Sequence, residues 1–82
     1  MPNLNYIDRA VTIADRAVDR AILALLIDDK KTALKFTECA DLAIMAAKKT
    51  LPNYDKKTAL IHNRQIARIG AEISRIRSIL TI

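Results

Sequence analysis

Apolar residues recur every three or four positions over nearly the whole chain, and two stretches carry the pattern without a break. Leu4, Ile7, Val11, Ala14, Val18, Ala21 and Leu25 form one seam, and Ile66, Ile69, Ile73, Ile76 and Leu80 form another. Steps of three and four keep every member on one face of an α-helix. Polar and proline breaks divide the chain into three. Asn3 or Asn5 can cap a first helix over about residues 4–27, with Pro2 outside it. The pair Asp28-Asp29 offers a carboxylate to the free amides of a second helix at about 30–50, whose last turn holds Lys48 and Lys49, where cations complement the helix dipole. Pro52 prevents that helix from continuing and favours an extended backbone at Leu51. Asp55 then caps a third helix reaching about residue 80, with Tyr54 placed to fold over Ala59 as a hydrophobic staple. Short links make consecutive helices antiparallel. The expectation is one all-α domain over residues 1–82, an antiparallel up-down-up three-helix bundle.

Two repeats run through this pattern. Asp29-Lys30-Lys31-Thr32-Ala33-Leu34 recurs unchanged as Asp55-Lys56-Lys57-Thr58-Ala59-Leu60, each copy opening a helix. Duplication of a helix-start unit and the common grammar of capped starts both account for it. In the first helix Asp-Arg-Ala-Val stands at 8–11 and again at 15–18, seven residues on, as a heptad constraint produces.

The second helix is apolar on two sides. Ala33, Phe36, Ala40, Ile44 and Ala47 make a core face, while Leu34, Leu42 and Met45 lie toward the other side. A three-helix monomer buries one side of such a helix, so the surplus points to a cover: a second copy, giving a homodimer, or a partner helix. A chain of 82 residues with Cys39 as its only cysteine also sits near the ~70–80 residues below which one core rarely suffices without staples.

Charge adds a second theme. The net charge is +5, which makes an acidic partner or nucleic acid relevant. At 100° per residue, Asp8, Asp15 and Asp19 share one flank of the first seam, and Arg9, Arg16 and Arg20 the face opposite it. Lys57, Arg64, Arg68 and Arg75 form one basic stripe along the third helix. Three readings of these stripes stand open: solvated flanks, an acidic-to-basic pairing that sets helix register, and phosphate contacts by the basic stripe. With only Tyr6, Phe36 and Tyr54 as aromatics, stacking on bases is poorly served, so nucleic-acid binding is the runner-up. The leading expectation is an interaction or adaptor module in which Leu34, Leu42 and Met45 supply contact area and Lys57, Arg64, Arg68 and Arg75 steer an acidic partner.

Candidate chemistry is sparse. Cys39 and His62 are the only nucleophile-and-base pair, and neither has a ligand-type neighbour at metal spacing. His62 falls on the backward extension of the third seam, where a boundary histidine with one hydrogen bond is expected. Gly70, the only glycine, excludes a phosphate-binding loop, and its place in mid-helix suits close approach of another helix. Glu38 and Glu72 are too few for a carboxylate-bridged dimetal bundle. The chain is therefore expected to be a non-enzyme without cofactor or metal. A single cysteine fits a reducing, cytoplasmic setting. Asp8 and Arg9 near the start argue against a secretory leader, and the longest apolar run, residues 21–27, is far below the ~20 residues of a membrane span.

Around Asp29 to Ile44 the chain resembles the MIT domain, a three-helix module of proteins that act with ESCRT-type membrane-remodelling machinery. The resemblance rests on Leu25 and Leu26 closing a long first helix, a charged turn, the Ala33-Leu34 pair, and Ala40 seven residues on. It departs at Thr37, near which the family carries an aromatic; here Phe36 stands one place earlier. Membership implies a three-helix bundle that holds a partner's amphipathic helix in a groove between its own helices.

Overall fold

The computed structural model describes residues 4–81, with side chains from Tyr6 onward. Three helices make up nearly all of it: α1 at Leu4–Leu26, α2 at Lys30–Thr50 and α3 at Lys56–Leu80, with a 3-10 turn at Leu51–Asn53. They lie side by side in a rod of 43 × 17 × 15 Å. Asp8 of α1 faces His62 of α3, and Asp15 faces Arg68. The order of these pairs rises together along both helices, so α1 and α3 are parallel and α2 runs between them in the opposite sense. The cap at Asn3 or Asn5 and the seam position Leu4 lie outside the described side chains.

Local chemistry explains each boundary. α1 ends at Leu26, one residue before the apolar periodicity stops, because Asp28 turns into the left-handed region with φ 58°. The Asp28 N–H then donates to the Leu25 carbonyl at 3.0 Å and the Asp29 N–H to the Ala24 carbonyl at 2.8 Å, the paired bonds of a Schellman end. Asp29 in the same stroke starts α2: its carboxylate accepts from the Thr32 N–H at 3.1 Å and from the Thr32 hydroxyl at 2.6 Å. Between the two candidate aspartates the cap is thus Asp29, and Asp28 serves the preceding helix. Asp55 opens α3 in the same way, accepting from the Thr58 N–H at 3.0 Å. Both copies of the repeated hexamer are therefore capped helix starts. In each, the threonine side chain first and its backbone N–H second hold the aspartate below the ordinary carboxylate value of 3.8.

The α2–α3 link differs from expectation. Leu51 is helical (φ −53°, ψ −43°) rather than extended, because Pro52 sits in the first turn of a 3-10 segment, where its missing N–H costs nothing. The chain becomes extended at Tyr54 (φ −106°, ψ 160°) and stays so at Asp55 (φ −66°, ψ 164°). Tyr54 rests edge-on against His62, with ring centroids 6.5 Å apart, and packs on the core cluster.

The core is built in two styles. In α1, Ile7, Val11, Ala14, Val18 and Ala21 are buried as their spacing requires, and so are Ala10, Ala17 and Ala24, a second seam of alanines. In α2 the buried residues are Ala33, Thr37, Ala40, Ile44 and Ala47. Thr37, not Phe36, completes this face: its hydroxyl donates to the Ala33 carbonyl at 2.7 Å, so the polar group is satisfied inside the helix itself. Phe36 is half-buried on the α1 side, 5.9 Å beneath the Arg20 guanidinium. Alanine on both sides lets α1 and α2 pack most closely of all the pairs. α3 joins through Ile66, Ile69, Ile73 and Ile76, with Leu80 half-buried beyond them. No residue from Lys56 to Gln65 is buried.

Candidate interaction surface

Outside this core the three helices present different faces. α1 carries three aspartates and three arginines and is neutral. α2 carries five lysines against Glu38 and Asp41, and α3 carries six cations against Glu72. The whole positive excess thus falls on α2 and α3. Part of it is neutralised within the fold. Arg77 reaches across to Asp41 of α2 at 3.1 Å. Arg68 lies 3.7 Å from Asp15 of α1 and 3.7 Å from Glu72 in its own helix.

The pairing of stripes is therefore partial. Of the four basic positions only Arg68 meets the acidic flank. Asp8 meets His62 instead, with Nε2 3.7 Å from its Oδ1, and Asp19 has no ion pair among the described residues. Lys57, Arg64 and Arg75 are exposed and likewise make none among the described residues. They fall within ~20° of one another on the helix wheel, at the outer ridge of α3 and nearly opposite its isoleucine seam. The fold separates one cation of the stripe with acidic neighbours, Arg68, from three with no ion pair among the described residues.

The apolar candidates on α2 are exposed together. Leu42 is 67% exposed, Met45 49% and Leu34 46%. On the wheel Leu42 points directly away from the Ala33–Ala47 face, and Leu34 and Met45 turn toward the side on which Asp41 meets Arg77, the α3 side. Lys31, Lys35 and Lys49 fall among them on the same sector and are exposed. Across the seam, α3 shows small residues there: Ala67, Ala71 and Ser74 are exposed. Gly70 does not serve close approach within the chain, because a Cβ built on it meets nothing within 4 Å.

His62 is a boundary residue, its side chain 12% exposed, held by Asp8, by Gln65 Oε1 at 3.2 Å from Nδ1, and by the edge of Tyr54. Cys39 is exposed on the middle of α2. Among the described residues no group of three His, Cys, Asp or Glu could hold a metal ion, and no helix is long and apolar enough to cross a membrane. Comparison with family models, curated proteins and solved structures gives no match in any of the three.

What sequence reasoning missed is a second apolar surface where α1 ends, formed by Ile22, Leu26 and Ile79 with the half-buried Leu25 and the buried Ile76. Ile22 and Leu26 stood in the sequence as strong apolar residues lying off the α1 seam, and that was the available signal.

Proposed function

We propose that the chain is a non-enzymatic interaction module whose α2–α3 face takes an acidic amphipathic helix of a partner protein. One observation carries the reading: exposed Leu34, Leu42 and Met45 share a sector of α2 with the exposed Lys31, Lys35 and Lys49, which outnumber Glu38 there and make no ion pair among the described residues. A helix with leucines on one side and carboxylates flanking them satisfies both features at once, the apolar area giving affinity and the charge giving orientation and on-rate. Two copies of this face would set cation against cation, so the charge favours a foreign acidic helix here over a second copy. The resemblance at Ala33, Leu34 and Ala40 points the same way. An exposed lone thiol suits a reducing, cytoplasmic setting.

The test is fluorescence anisotropy with a labelled helical peptide bearing Leu at i, i+3 and i+7 and Asp or Glu on the flanks. Binding should weaken with salt, and Leu42→Asn and Lys35→Glu should each weaken it by about tenfold, equal to ~1.4 kcal/mol. Arg68→Ala should change it little, because Arg68 is already engaged by Asp15 and Glu72.

A second reading has its own observation. Lys57, Arg64 and Arg75 lie in line over some eighteen residues, about 27 Å of helix, as contacts along a nucleic-acid backbone would. Three phosphate contacts give a log–log salt slope near about −2.7. Duplex binding with that slope, unchanged by Leu42→Asn, would replace the peptide reading.

A further inference from the structure

The molecule carries a second surface that the α2–α3 reading does not use. Where α1 ends, a groove of about 410 Å³ opens between α1 and α3, lined by Ile22, Leu25, Leu26, Ile76 and Ile79 with Glu72 and Arg75 at its rim. Leu26 also lines the adjoining hollow over the turn, with Leu23, Ile27 and Arg20. Leu26 and Ile27 are each 76% exposed and Leu23 61%. With Ile22 and Ile79 they leave bare the equivalent of about three whole aliphatic side chains, at the upper end of the ~300–600 Å² patch a monomer ordinarily shows.

We infer that this end of the bundle is a homodimer contact, in which a second copy of the chain packs groove to groove about a two-fold axis. An isologous contact places the same patch on both sides, so the patch has to tolerate its own image. The charges here allow it. Glu72 and Arg75 stand one turn apart on one rim. Arg20 stands over the hollow, and Asp19 precedes it on the flank of α1 that leads to Ile22 and Leu26. The signs are balanced, whereas the α2 face around Leu34 and Leu42 has more exposed lysines than acids and is net cationic against its own copy. The same balance disfavours an anionic bilayer, which gathers surfaces with a net excess of Lys and Arg. The available area corresponds to a small interface, below ~1,200 Å² in total, the size of weak and transient contacts.

Sedimentation equilibrium of the intact chain from low micromolar to millimolar concentration tests this. The mass should rise from 9.2 kDa toward twice that value. Leu26→Asp and, separately, Ile79→Asp should each raise the dissociation constant by about tenfold or more. Both positions are exposed, so the variants should keep the wild-type helical circular dichroism, and two sites on different helices guard against one failing to fold. Leu42→Asn should dimerise as the wild type does. A monomer at every concentration overturns the proposal. So does a dimer indifferent to both Asp variants, or one that Leu42→Asn dissociates, which would move the contact to α2. Cosedimentation with phosphatidylglycerol vesicles, abolished by Leu26→Asp in a protein that stays monomeric, would assign the surface to a bilayer instead. Peptide binding by the Leu26→Asp monomer keeps the outcome separate from the α2–α3 reading.

Discussion

The two interfaces of α1 are made from different side chains and resist different insults. Toward α2 it offers alanine to alanine, so the helix backbones come close and little side-chain freedom is lost on packing. Toward α3 the partners are four buried isoleucines, which bring apolar area rather than close approach. The first interface has no room to give, and the second has bulk to lose. An alanine seam should therefore fail by enlargement and an isoleucine seam by truncation.

Truncation should give the largest effect. Ile69 is fully buried at the centre of the α3 seam, and Ile69→Ala should cost about 2–5 kcal/mol of the ~5–10 kcal/mol expected for a domain of this size. A loss below about 1 kcal/mol by denaturant titration would mean that α3 is not held by this seam. Enlargement comes next. Ala40 is fully buried on α2, and Ala40→Leu should cost about 1–3 kcal/mol by overpacking. Ala71→Leu, on the exposed side of α3, should stay within ±0.5 kcal/mol. Equal costs at the two alanines would erase the distinction between the faces.

Smaller effects belong to the turns. Asp28 holds a left-handed backbone in which glycine is strain-free. Asp28→Gly should stabilise the α1–α2 hairpin by up to about 1 kcal/mol, read as a higher denaturation midpoint. The smallest effect is acid sensitivity. Asp29 and Asp55 have carboxyls held below 3.8 by their threonines. A depressed folded value means the unfolded state binds the proton first, so their stabilisation is complete above 3.8 and is lost as pH falls through the lower folded values. Replacing both with Asn, which caps without titrating, should flatten the stability profile below about pH 4; an unchanged acid profile would show that other carboxylates govern it.

Much of this fold was legible in the residues. Both long seams, the Asp55 cap and the break at Pro52 follow from periodicity and turn chemistry acting within a few positions. The misses share one cause, that small residues carry little pattern. Ala10, Ala17 and Ala24 scored too weakly to read as a seam, although the Asp-Arg-Ala-Val repeat delivered two of them. Thr37 was passed over for Phe36 because hydropathy does not see a hydroxyl bonded back to its own helix. The basic stripe was visible as a line of charges, but which member would be neutralised depends on the rotation of α1 against α3, and one sequence does not contain that angle. The groove at Ile22, Leu26 and Ile79 arises from the same relation.

What the interfaces leave outside sharpens the contrast. α1 keeps its charges in balance, while α2 sets exposed Leu34, Leu42 and Met45 among exposed lysines that outnumber its acids. The functional account stands on that segregation, and a titration of the ¹⁵N-labelled chain with the acidic amphipathic peptide, followed residue by residue in amide NMR spectra, tests it most directly. The account predicts shifts gathered on Leu34, Lys35, Leu42 and Met45, growing as salt is lowered. Shifts confined to the Asp8–Asp19 flank of α1 or to Ile22, Leu26 and Ile79, or no shifts at saturating peptide, would contradict it.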